Sequence, residues 1–205
     1  MNNANHRSSI SLYSVPDCPQ SHKVRLVFAE KGVDVDIHQI VDRWPEQIAS
    51  VTPYGEAPVL VEQETVLFNS NIIMEYLEDR FPHPTLMPAE PLQKAQMKLM
   101  LYRIDRDWYS LWPDLVSTRN ARASKARKQL LEDLIVLSPV FEQHHYFMSD
   151  EFSLIDCALA PLLWRLPSLK VKLPAKAKAI EDYANRLFAR DSFVNSLSES
   201  EKQFR

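Results

Sequence analysis

Phe152-Ser153-Leu154-Ile155-Asp156-Cys157-Ala158-Leu159-Ala160-Pro161-Leu162-Leu163-Trp164 opens on a helix-start signal and then runs almost without a polar residue. Ser153 can cap the backbone while Asp156, three residues on, reaches back to it, a capping box of the S-x-x-D type. Phe152 and Cys157 take the flanking staple positions. A surface helix shows a polar face. From Leu154 to Trp164 there is next to none, so the spacing predicts a helix over 153–166, buried on all sides at the centre of a helical domain. Pro161 removes one N–H from the ladder and is expected to kink it. The run from Cys157 to Trp164 is far short of the ~20 apolar residues that cross a bilayer.

Outward from this segment the pattern stays helical. Met97, Met100, Leu101, Ile104, Trp108, Leu111 and Trp112 form one apolar stripe on a long helix, as core or subunit interface rather than a cofactor site. Further helices are expected over 121–137 and 175–190. Before residue 91 the pattern changes. Ile10 to Ser14 alternates and ends at Pro16, which suits a strand; 21–31 carries Val24, Val27 and Phe28 on one helical face and stops at Gly32, a C′ glycine. Val33, Val35, Ile37 and Val41 mark a second strand. Residues 57–61 and 65–68 read as two short strands, and a helix opens near Ser70 and ends before Pro82. That order describes a compact α/β unit. The expected organisation is therefore α/β plus all-α: an α/β domain over 8–83, a linker over 84–90 and an all-helical domain over 91–205.

Between them lies Phe81-Pro82-His83-Pro84-Thr85. Both prolines fix φ and push the residue before them towards extended conformations, so His83 is held between two restricted positions. On composition alone an interdomain linker is the simpler reading. A stiff loop also loses little entropy on meeting a partner, which makes it a candidate recognition surface.

The 205 residues suffice for one large or two small cores; 45% hydrophobic and 25% charged content is that of a globular chain. A net charge of -3 gives no global reason to bind nucleic acid. The start, residues 1–9, lacks the apolar core of a secretory signal, so a cytoplasmic location is expected. Cys18 and Cys157 do not suggest a disulfide framework. With Gly32 and Gly55 as the two glycines, a Gly-rich phosphate cradle is excluded.

The element order and the Phe152–Asp156 capping element resemble the glutathione transferase fold, a thioredoxin-like N-terminal domain followed by a helical C-terminal domain. Within that superfamily the chain is most similar to the bacterial stringent starvation regulators. The matching segments are residues 21–32, Ile73-Met74-Glu75-Tyr76-Leu77 running into Phe81-Pro82-His83-Pro84, Tyr102-Arg103-Ile104-Asp105-Arg106-Asp107-Trp108, and 148–156 running on to Leu163-Trp164-Arg165-Leu166-Pro167. The resemblance implies a homodimer without conventional transferase activity that contacts RNA polymerase during starvation or acid stress. The contact surface then falls on Pro82, His83 and Pro84. Glu90 departs from the aromatic residue expected of relatives.

A rival reading rests on Cys18-Pro19-Gln20-Ser21. A cysteine leading into the first helix of a thioredoxin-like fold feels the positive helix end, which favours thiolate. The arrangement is similar to monothiol glutaredoxins and omega-class glutathione transferases, which implies a glutathione-dependent thiol transferase or reductase using Cys18. By the same resemblance Ala57 and Pro58 stand where the cis-proline dipeptide meets the cysteinyl part of glutathione. The helix start at Ser70 can hold a carboxylate. Asn69 replaces the acidic residue that meets the ligand's ammonium group. His22 is placed on the first helical turn near Cys18, although no strong general base is identifiable. The expectation adopted is an inherited, idle site with no cofactor, glutathione binding being weak at most. Cys157 reads as a small buried hydrophobe.

Arg119, Arg122, Lys125, Arg127 and Lys128 form a basic cluster without interleaved aromatics, so a solvated helix face is expected. His144 and His145 are adjacent and point apart on a helix, and no metal is expected.

Overall fold

A computed structural model describes residues 10–205. The reading of residues 1–9 and the domain start at residue 8 lie outside the described residues.

The N-terminal part runs β1 (Ile10–Ser14), α1 (Pro19–Lys31), β2 (Asp36–Gln39), α2 (Glu46–Ala49), β3 (Val59–Glu62), β4 (Thr65–Phe68) and α3 (Ser70–Arg80). Its sheet has the order β2-β1-β3-β4, with β1 and β2 parallel and the other two pairings antiparallel. Leu12 of β1 sits opposite Leu60 of β3, and both are fully buried. The edge strand β2 is exposed along its length and shorter than the valine pattern implied. The cause is local. Gly32 takes a left-handed conformation at φ 61, and its N–H and that of Val33 turn back onto Ala29 O and Phe28 O. Val33 and Val35 then pack on the core ahead of the strand.

The helical part comprises α4 (Pro91–Asp107), α5 (Trp112–Leu115), α6 (Asn120–Phe141), α7 (Leu154–Arg165), α8 (Lys178–Phe188) and α9 (Asp191–Ser196), with 3-10 turns at Tyr109–Leu111, Ala175–Ala177 and Glu201–Phe204. The capping box forms as the sequence implies, and every residue of α7 except Trp164 is buried. The long stripe from Met97 to Trp112 is a correction: the helix closes at Asp107, Trp108 is its C-cap, and a 3-10 turn leads into α5. Pro113 has no N–H to continue the ladder, and it starts the new helix in its first turn instead. α6 runs beyond residue 137, through Pro139 to Phe141. Glu90, the residue out of pattern, caps α4 by accepting from Leu92 N (3.0 Å) and Gln93 N (2.7 Å). Those two donors hold its carboxyl below its ordinary value.

One hydrophobic core joins both parts, from Leu12 and Leu60 through Val24 and Leu77 to Leu159 and Tyr183. Helix α1 is the hinge of this arrangement, packing against α3 on one side and against α7 and α9 on another.

Candidate functional site

Cys18 is itself the N-cap of α1, because Pro19 suits the first helical turn and the helix begins two residues earlier than the Ser21 start. The half-buried thiol donates to Gln20 Oε1 at 3.2 Å and faces the carbonyl of Ala57 at 3.9 Å. The Ala57–Pro58 bond is cis. The fold thus brings Cys18, Ala57 and Pro58 together, as expected of a thioredoxin-like thiol loop.

Asn69 and Ser70 sit at the start of α3, at the end of β4. Asn69 adopts φ 73 and its Oδ1 accepts from Asn71 N (3.0 Å) and Ile72 N (3.3 Å). Two of the donors at this helix end are therefore met by the chain's own cap. Ser70 is buried.

Both ring nitrogens of His22 are engaged with groups other than the thiol. The residue is fully buried: Arg165 Nη1 donates to its Nδ1 at 3.1 Å, and its Nε2 lies 2.9 Å from Ser196 Oγ. An arginine can only donate, so Nδ1 is the acceptor and Nε2 carries the proton. The hydroxyl of Ser196 in turn donates to Phe193 O at 2.7 Å. Burial first, then Arg165 and Arg25, hold the His22 imidazole well below its usual range.

His22 belongs to a cluster that the sequence patterns missed. Glu201 Oε1 accepts from Arg165, while its Oε2 accepts from Arg25 Nη2 (2.5 Å) and Ser198 N (2.8 Å). Arg25 also donates from Nε to Ser196 O (2.9 Å), and Arg165 donates to Asp17 O (3.3 Å). Ser198 Oγ donates to Pro16 O at 3.1 Å. The C-terminal turn is thus clamped onto the loop that carries Cys18. A second buried group stands nearby: Lys23 pairs with Asp105 and lies 3.6 Å over the Tyr109 ring. Burial lowers the Lys23 ammonium, and Asp105 opposes the shift.

Pro82, His83, Pro84 and Thr85 occupy the other end of α3, roughly 16 Å from its start at 1.5 Å per residue. All four are exposed, between half-buried Phe81 and buried Leu86. The His83–Pro84 bond is cis. Cys157 is fully buried, and burial pushes its thiol well up. Of the basic cluster, Arg119, Arg122, Lys125 and Lys128 are exposed as expected, Arg122 and Lys128 pairing loosely with Asp114 and Glu132, whereas Arg127 is half-buried with its Nε out of solvent. Residues 144 and 145 turn to different neighbours: His144 lies 3.6 Å from Asp150, and His145 meets the Tyr146 ring edge-on.

A thioredoxin-like sheet with cis-Pro58, followed by helices packed around a capped central α7, defines the glutathione transferase class. Residues 12–85 match the family described as Glutathione S-transferase, N-terminal domain, and residues 88–191 its C-terminal domain. A crystal structure of rice GST1 in complex with glutathione has a TM-score of 0.84 at 21% identity, covering 97% of this chain and 96% of that one. Two relatives named Stringent starvation protein A homolog are much closer in sequence. That of Coxiella burnetii is 46% identical over 97% of this chain and 96% of its own, and that of Haemophilus ducreyi is 47% identical over 96% and 94%. The chain belongs to the stringent starvation protein A family. No helix among the described residues is long and apolar enough to cross a membrane.

Proposed function

We propose that this chain is a cytoplasmic transcription regulator that docks on RNA polymerase through Pro82, His83 and Pro84 under starvation or acid stress. The observation that carries this reading is the contrast between two sites on one helix. At the start of α3, where the resemblance places glutathione, Asn69 already engages two of the helix-end donors. At its end, four consecutive residues project into solvent from a buried footing. A site that satisfies its own ligand groups is poorly set for turnover, whereas a stiff, exposed loop suits recognition.

A homodimer fits this reading. Leu99 and Tyr102 on α4 and Val136 on α6 are exposed, as are Tyr54 and Ile72 on the N-terminal part. Large exposed apolar side chains on both parts suit mutual burial between two copies. A groove of about 820 Å³ between α4 and α6, lined among others by Met100, Trp108 and Met148, is available to the partner. Two copies of the loop then act together, and effective concentration supplies avidity.

Immobilised protein is expected to recover RNA polymerase from a lysate, and a variant with Pro82, His83 and Pro84 all changed to alanine to lose most of that recovery. Equal recovery by both would sink the docking role.

A second reading is favoured by the approach of Cys18 to the carbonyl before cis-Pro58. If thiol exchange is the activity, glutathione-agarose retains the protein and disulfide reductase turnover disappears in Cys18→Ser. Absence of turnover in the parent is the outcome expected here, and robust Cys18-dependent turnover would make the enzyme primary.

A further inference from the structure

The exposed loop is held from beneath by a buried ion pair. Lys31, the last residue of α1, has its side chain wholly out of solvent, and Glu78 on the last turn of α3 is nearly so, at 7%. Lys31 Nζ donates to Glu78 Oε2 and also to the carbonyl of Pro84 at 2.6 Å. Glu78 in turn accepts from Leu86 N with both oxygens at 3.1 Å. Leu86 O then accepts from Leu154 N at 2.9 Å, at the first residue of α7. Within the arch, Thr85 Oγ1 donates to Pro82 O at 3.2 Å.

A buried ion pair seldom adds stability over an apolar pair of the same shape, so its presence points to a geometric role. That role can be read from the donors and acceptors. Pro84 has no N–H, and its carbonyl turns inward, where a regular element would supply a donor; here an ammonium with three donors supplies it. The carboxylate has acceptor capacity left after meeting Lys31 and uses it on Leu86 N. The carbonyl of residue 84 and the amide of residue 86 are thereby fixed to one pair, and α7 fixes the carbonyl of residue 86. His83, just outside the first of these anchors, is left facing solvent.

We propose that Lys31 and Glu78 are the positioning residues of the docking surface, registering the loop of residues 82–85 against both parts of the fold so that its exposed face is preformed. This rests on the docking reading above. A preformed loop avoids the ordering cost that a mobile one meets on binding, so loss of the pair weakens docking without touching any contacting residue.

The test uses the full chain carrying Lys31→Met and Glu78→Leu together, since an amide at residue 78 would still accept from Leu86 N. The double variant keeps volume and neutrality, whereas either change alone strands a buried charge and threatens folding. Its circular dichroism spectrum is expected to match that of the parent. Hydrogen exchange at the Leu86 amide is expected to accelerate by roughly tenfold, as a charge-assisted bond and the neighbouring anchor are lost. Polymerase recovery is expected to fall at least about fivefold with the loop sequence intact, the penalty of ordering a few freed residues. A folded double variant whose Leu86 amide exchanges as slowly as the parent overturns the proposal. So does faster exchange with full recovery, provided the alanine variant of residues 82–84 has lost recovery. If the alanine variant also binds normally, the docking reading fails while faster exchange still establishes Lys31 and Glu78 as the loop's anchor.

Discussion

Changing Glu201 to alanine is expected to lower the melting temperature by about 10 °C, although the residue lies four positions before Arg205. Its carboxylate is fully buried and is the charge shared by Arg25 and Arg165, both of them buried. Removing one partner of such a cluster leaves guanidinium groups uncompensated in the core, at a cost of about 3–5 kcal/mol. For a chain of this length each kcal/mol is worth roughly 2–4 °C. Calorimetry of parent and variant decides it, and a change under about 2 °C would mean that solvent reaches the cluster freely. The same cluster sets an acid response through His22. Its folded-state value lies below the ordinary value near 6.5, so the stability it contributes is present above about pH 6.5 and is lost as pH falls below it. The slope approaches about 1.4 kcal/mol per pH unit, the cost of one proton taken up on unfolding. His22→Gln is expected to flatten stability against pH below about 6.5, the upper limit being set by that ordinary value.

How much of this was legible in the sequence depends on whether the cause was local. The capping box at Ser153 and Asp156, the strand Ile10–Ser14 and the stop at Gly32 are each fixed by residues within a few positions, and all three form as their spacing implies. So is the stiffness of residues 82–84, where two prolines act on their neighbours. The break at Trp108 was hidden because an apolar stripe continues smoothly across it, while Pro113 restarts the helix. The buried charges were not legible at all. Helix α1 lies between two layers, so the face carrying His22, Lys23 and Arg25 is as buried as the face carrying Val24, Val27 and Phe28. Polar residues opposite an apolar stripe normally mark solvent. Here their partners, Ser196, Asp105 and Glu201, are supplied by the helical part, far along the chain. Lys31 and Glu78 share that disguise, since each alone resembles an ordinary charge at a helix end.

Asp156→Ala is expected to be at least as damaging as the Glu201 change. This carboxylate does more than close the capping box that starts α7. Its Oδ2 accepts from Ser153 N (2.8 Å) and Ser153 Oγ (3.0 Å), while Oδ1 accepts from Phe147 N (3.1 Å) and from the Tyr183 hydroxyl (2.6 Å). One side chain therefore ties the start of α7 to the turn before it and to α8. Burial raises its carboxyl above the ordinary value, and the hydrogen bonds from Tyr183, Phe147 and Ser153 pull against that shift. Alanine strands two backbone N–H groups and a tyrosine hydroxyl inside the core, each worth about 1–3 kcal/mol when unmade. With partial relaxation the loss is about 4–5 kcal/mol, a large share of the roughly 5–15 kcal/mol that holds a domain together. Asp156→Asn is expected to cost about half as much, because the amide oxygen still serves Phe147 and Tyr183 while its NH2 group meets the N–H of Ser153 donor to donor. Urea unfolding checks both: the midpoint should fall in the order parent, asparagine, alanine with an unchanged slope. An alanine variant that unfolds within a few tenths of a molar of the parent would show that water substitutes for the carboxylate, and the helical part would then owe its register to apolar packing alone.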